Sequence, residues 1–168
     1  IDNCTLACEC GYHAAVENGI LVCEGNPFDN HEKPDILRAK YKMLSQELSV
    51  LFQRTSNWLF SFLMQGAGAR VILETQLNSF FFLYPYLKSL HKEDTLILVD
   101  RFPELLNMYK RNIERMDLDL TIVYMVNGSG DLPLRHGTVD FLIDYLSTNC
   151  HNLFSNTPYL PRFRPFLK

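Results

Sequence analysis

No stretch of this 168-residue chain approaches the ~18 consecutive apolar residues of a membrane-spanning helix, so the sequence offers no candidate span. Positive charge is not in excess either. Sixteen lysines and arginines against 19 aspartates and glutamates leave a net charge of −3, which gives no general reason to expect nucleic-acid binding. Arg162, Arg164 and Lys168 form a small basic end that reads as a solvated tail. No signal-peptide pattern is visible, and a start at Ile1 rather than Met fits a natural N-terminus that has been removed. Cysteine lacks an even count: four of the five fall in the first 23 residues and Cys150 stands alone. That spread suits metal binding in a reducing compartment better than a disulfide framework, and the expectation is a cytoplasmic protein.

What is present is globular in composition, with 47% hydrophobic and 21% charged residues. The length fits one ordinary domain plus an appendage, with enough chain to bury a sizeable core. The sequence divides into a cysteine-bearing segment over 1–32, connecting helices over 33–65, and an α/β domain over 66–168.

Cys4, Cys8 and Cys10 crowd together, and Cys23 follows beyond a stretch over 14–22 that reads as a hairpin. Its turn falls at Glu17-Asn18-Gly19, because Asn-Gly is a strong type I′ signal. Two cysteine-bearing turns joined by a hairpin can gather soft ligands tetrahedrally around zinc, as a zinc ribbon does. So small a segment would need bound metal to fold by itself. The spacing departs from the usual pattern, since Cys8-Glu9-Cys10 is tighter than Cys-x-x-Cys and Asn26 stands where a distal cysteine is expected. His31 or His13 could complete the set, and a ribbon retaining only free thiols, or disulfides, are the alternatives. The stretch Cys23-Glu24-Gly25-Asn26-Pro27-Phe28 resembles zinc-ribbon segments that precede methyltransferase domains.

Pro34 suits a first helical position and Asp35 the positive end of the helix dipole. Leu37, Tyr41, Leu44, Leu48, Leu51, Thr55, Trp58 and Phe62 then recur at alternating steps of four and three. This apolar stripe predicts one or two helices ending near Met64, packed on the core or on a sister subunit. The regular seven-residue step also fits a coiled coil.

From Val71 onward, strands and helices alternate. Val71-Ile72-Leu73 is a continuous apolar run closed by Glu74, as expected for a parallel strand buried on both faces. A helix beginning at Asn78 would hold Pro85 in its interior at a cost of about 3 kcal/mol, so the helix is expected to start near Tyr84. A second strand over 95–99 is closed by Asp100, and a helix over 102–116 points Leu105, Leu106, Met108, Tyr109 and Ile113 inward. A third strand covers 120–126 and a fourth 139–145, with a turn at Asn127-Gly128-Ser129-Gly130 between them. Such alternation implies right-handed crossovers and a parallel sheet.

This order resembles the class I S-adenosylmethionine-dependent methyltransferases, and so implies a Rossmann-like α/β fold with a mainly parallel sheet. Val71-Ile72-Leu73-Glu74 matches the family's first strand and closing acid, and Leu96-Ile97-Leu98-Val99-Asp100 its second. Asp131-Leu132-Pro133-Leu134 with Gly137-Thr138-Val139-Asp140 is similar to its turn into strand four, and the segment 159–168 to the helix before strand five. The resemblance implies S-adenosylmethionine as cofactor, held by Glu74, Asn78, Asp100, Asn127 and Asp131. Glycines after strand one would let bare backbone approach the ligand, and an acid ending strand two would accept the ribose hydroxyls.

Here the sequence departs. The family's glycine positions fall at Gln76, Asn78 and Phe80, and its adenine-binding acid at Gly128. Asn78 can still adopt a left-handed conformation; Gln76 and Phe80 add bulk. The family's sheet has seven strands, whereas this sequence offers four, which leaves an open edge for a partner chain. A homo-oligomer through the apolar helix or that edge is the expected assembly.

Other chemistry has thin support. His136 lies in a turn; Asp144, Ser147 and His151 lack a nucleophile-elbow setting; and Cys150 reads as a buried small residue. No catalytic residue is assigned. Three readings follow: a methyltransferase with an adapted cofactor loop, a noncatalytic methyltransferase-like module for partner binding, and a flavodoxin-like nucleotide-binding domain.

Overall fold

Apolar runs that alternate faces form the spine of the molecule. A computed structural model describes residues 4–9, 11–23, 45–66, 68–77, 81–127, 132–144 and 160–168. Strand β4 (Val71–Thr75) pairs in parallel with β5 (Thr95–Asp100), with Val71 opposite Thr95 and Thr75 opposite Val99. In turn β5 pairs in parallel with β6 (Thr121–Val126), from Thr95 opposite Thr121 to Asp100 opposite Val126. On the other side, β4 pairs in parallel with the shorter β7 (Phe141–Ile143). Successive side chains point to opposite faces. Ile72, Leu96 and Leu98 therefore join one apolar cluster while Leu73, Ile97 and Val99 join another.

The first three expected strands stand where the apolar runs placed them, with Glu74 and Asp100 inside their strands and Thr75 closing β4. The fourth is shorter than 139–145. Val139 forms a separate parallel bridge to Leu167, and Tyr145 lies outside the described residues.

The N-terminal hairpin forms where expected, but as part of the main sheet. Strands β2 (His13–Glu17) and β3 (Ile20–Val22) are antiparallel and turn through Asn18 at φ 53° and Gly19 at φ 73°, as the Asn-Gly signal predicts. A Cβ on Gly19 would also sit 3.2 Å from Lys110 Cε. Yet the hairpin is no separate knuckle. Strand β3 pairs in parallel with β6, placing Leu21 opposite Met125 and Val22 opposite Val126, and Cys23 N–H donates to the Val126 carbonyl at 3.1 Å. A further strand, β1 (Cys4–Ala7), pairs antiparallel with β2. Among the described residues the sheet thus has seven strands in the order β1-β2-β3-β6-β5-β4-β7, with the extra strands coming from the N-terminal side.

Helix α1 (Gln46–Leu63) is capped by Ser45, whose hydroxyl accepts the Leu48 N–H at 3.3 Å, and ends at Met64 as expected. Its orientation differs from the stripe reading. The residues turned inward are Ser56, Leu59, Phe60 and Leu63, themselves spaced i, i+3, i+4, i+7. Leu48, Leu51, Trp58 and Phe62 face outward, 46%, 59%, 66% and 60% exposed.

The segment after β4 is a 3₁₀ turn (Tyr84–Ser89) with Pro85 in its first turn, where a missing N–H costs nothing. Helix α2 (Pro103–Glu114) buries Leu105, Leu106 and Ile113, with Met108 and Tyr109 half-buried against the same cluster. On the opposite face, a 3₁₀ turn (Leu160–Phe166) plugs Phe163 and Phe166 into the second cluster.

Candidate cofactor site at the carboxyl edge of the sheet

The sheet's carboxyl edge is built by backbone hydrogen bonds that run past the strand ends. Gln76 N–H donates to the Val99 carbonyl and Asn127 N–H to the Asp100 carbonyl, each at 3.0 Å. Gln76, Asp100 and Asn127 thereby stand in one row, with Asp100 in the middle. Asp100 and Asn127 are buried. The Asp100 Oδ1 accepts the Phe102 N–H at 2.9 Å, which turns the chain into α2.

Gln76 occupies the first of the expected glycine positions, and its backbone is left-handed, the region that favours glycine, with φ 58°. A left-handed residue costs an ordinary side chain roughly 1 kcal/mol or more, so the turn is held by its surroundings. Leu77, next along, is 1% exposed and anchored in the core.

Glu74 is fully buried one residue before the end of β4, and both its oxygens are engaged. Phe82 N–H donates to Oε1 at 2.5 Å and Leu83 N–H to Oε2 at 3.1 Å. Burial pushes its carboxyl up to about 8, against the opposing effect of the Leu83 and Phe82 N–H groups. Glu74 therefore shapes the returning loop from beneath. The rings that follow splay apart: Phe81 packs edge-on to Tyr109 of α2 at 4.9 Å, while Phe82 contacts Tyr86, which stacks on Phe60 of α1 at 4.3 Å. Thr75, on the opposite face of the sheet, has a buried hydroxyl with no hydrogen-bond partner among the described residues.

At the other end of the strands, Arg70 and Asp94 form a buried bidentate pair, Nε to Oδ1 at 2.9 Å and Nη2 to Oδ2 at 2.5 Å. Arg70 Nη1 also donates to the Leu63 carbonyl at the end of α1, and His91 N–H donates to Asp94 Oδ2. Burial alone would raise the Asp94 carboxyl, but the Arg70 and His91 bonds outweigh it and hold it below its usual value. The sequence reading missed this pair. Its signal was position: Arg70 and Asp94 each immediately precede a strand, and those strands start in register.

A cavity of about 280 Å³ lies on the β7 side of β4, lined by Leu59, Phe62, Leu63, Phe82 and the residues 141–144. Asp144 is its one charged wall among the described residues.

The remaining expected site residues fall as follows. Asn78 and Asp131 lie outside the described residues, as do Cys10 and His31. Cys4 and Cys8 are exposed, and His13 is exposed on β2. Cys23 is buried among Leu73, Val99 and Met125. Among the described residues no group of three or more His, Cys, Asp and Glu side chains converges as a metal site. The physical reason is the sheet: Cys23 is drawn into the core by the pairing of β3 with β6, while Cys4 sits two strands away on β1.

No family model matches the sequence, and no curated protein matches it. Among solved structures, the chain is similar to a SAM-dependent methyltransferase from Aquifex aeolicus. The TM-score is 0.59 at 18% identity, over 82% of this chain and 68% of that one. It is also similar to a protein assigned as an S-adenosyl-L-methionine-dependent methyltransferase from Methanococcus maripaludis, with TM-score 0.56 at 13% identity, over 83% of this chain and 62% of that one. The chain thus spans about two thirds of their lengths. At such identity the likeness shows the fold: a mixed α/β, Rossmann-like, mainly parallel sheet of the methyltransferase type.

Proposed function

We propose that this chain binds S-adenosylmethionine at the carboxyl edge of β4 and β5, as a methyltransferase-like protein whose acceptor its residues do not name. The observation that carries the reading is the left-handed backbone at Gln76 beside Asp100. The turn that a glycine normally makes is retained without the glycine. The residues present fit the cofactor: a carboxylate ends β5, where ribose hydroxyls would meet it, and an orphaned hydroxyl at Thr75 ends β4. Asp100 and Asn127 would hold the nucleoside, with Asn78 and Asp131 as further candidates on the adjoining loops. When bound, the cofactor would supply an activated methyl group, and the protein's part would be mainly to position it.

A noncatalytic methyltransferase-like module is the second reading, favoured by the bulk of the Gln76 side chain in the cofactor loop and by the full engagement of Glu74. Zinc on the cysteine set Cys4, Cys8, Cys10 and Cys23 stays a separate proposal, tested by metal analysis of the purified protein.

Asp100→Asn separates the two main readings. It keeps an acceptor for Phe102 N–H, and so the fold, while removing the charge that hydroxyl donors favour. The expected outcome is a thermal upshift of the wild type by S-adenosylmethionine and an affinity weakened about tenfold in the variant. Equal response of both proteins would contradict the role given to Asp100.

A further inference from the structure

The cavity on the β7 side of β4 is bounded by the last turns of α1, by Phe82 and by β7, and its volume of about 280 Å³ is on the scale of small-molecule sites. Two buried polar arrangements hold its walls. Glu74 Oε1 accepts the Phe82 N–H and so fixes the backbone that carries that ring. Arg70 Nη1 donates to the Leu63 carbonyl at 2.6 Å and fixes the end of α1. The hollow is therefore preformed, and a ligand would enter without first ordering these walls.

Its lining has a definite chemistry. Among the described residues, Phe62, Phe82 and Phe141 contribute three aromatic rings, and half-buried Asp144 contributes the one carboxylate on an otherwise apolar wall. Aromatic rings and a carboxylate both favour a cation, and apolar surroundings strengthen that preference. Position adds to this. Strand β7 pairs with β4 so that Ile143 stands opposite Glu74. Asp144 follows one residue on, level with Thr75 at the carboxyl edge that the cofactor reading uses.

We propose that this cavity binds a small apolar amine, with its ammonium group against Asp144 and its body among the phenylalanines. As a ligand site this stands on the cavity; as the class of methyl acceptor it rests on the cofactor reading above. A neutral apolar ligand would use the rings but gain nothing from the carboxylate, and an anion would be repelled by it.

Calorimetric titration of the full chain with phenethylamine and with phenethyl alcohol, which share one shape and differ in charge, tests this. The wild type should bind the amine about tenfold more tightly than the alcohol. Asp144→Asn should abolish that preference while leaving the urea midpoint and the circular dichroism spectrum unchanged. Phe62→Ala, at a ring that is 60% exposed and so dispensable to the fold, should weaken both compounds. Equal binding of the two compounds by the wild type, or binding of neither, would overturn the proposal. So would an amine preference that survives in Asp144→Asn, or affinities untouched by Phe62→Ala. The response to S-adenosylmethionine is read separately. Its absence beside intact amine selectivity would remove the cofactor reading and the acceptor role but leave the amine site. Its presence without amine selectivity would remove the amine site and leave the cofactor reading.

Discussion

Glu74 is a carboxyl whose surroundings set its protonation and, through it, the stability of the fold. Unfolded, it ionises near 4.5; folded, burial holds its proton up to about 8. Between those values the folded state binds the extra proton, so stability is highest below the lower value and is lost as pH rises through the window. The slope reaches at most roughly 1.4 kcal/mol per pH unit. Asp94 and Asp140, both held below their usual values, act at the acid end instead, where stability is lost as pH falls. Urea unfolding between pH 5 and pH 8 should therefore show the wild type weakening with rising pH. Glu74→Gln, which keeps an acceptor for Phe82 N–H, should flatten that trend, and an unchanged slope would contradict this account. The sequence made the acid at 74 legible as a strand-closing residue. It could not show the Phe82 and Leu83 N–H groups that engage it, because those bonds exist only once the loop has closed back.

Among the elements, continuous apolar runs declared the parallel strands, and Asn18-Gly19 declared the hairpin turn. The hairpin's docking onto β6 was not legible, since a long-range parallel pairing leaves no local mark. Helix α1 shows a different limit. It carries two apolar strips, and periodicity alone does not say which of them faces the sheet. Leu59, Phe60 and Leu63 win because the Arg70–Asp94 pair fixes the end of the helix through the Leu63 carbonyl. Removing one partner of a buried pair leaves the other charge uncompensated, at about 3 kcal/mol or more. Asp94→Asn should lower the urea midpoint accordingly and speed amide exchange in the last turn of α1. A loss below about 1 kcal/mol would mean that α1 is held by its apolar contacts alone.

At the scale of the whole molecule, the described strands reach seven by a route the sequence reading did not foresee, with β1 to β3 extending the sheet beyond β6. The parallel centre is retained, and with it the carboxyl edge at which open α/β sheets receive ligands. What distinguishes this chain is that the turn at that edge is made by glutamine in a left-handed conformation that favours glycine. Calorimetric titration of the full chain with S-adenosylmethionine tests that claim most directly. The account predicts saturable heat with one site per chain. Absence of both heat and thermal shift would contradict it and leave the methyltransferase fold here as a binding module.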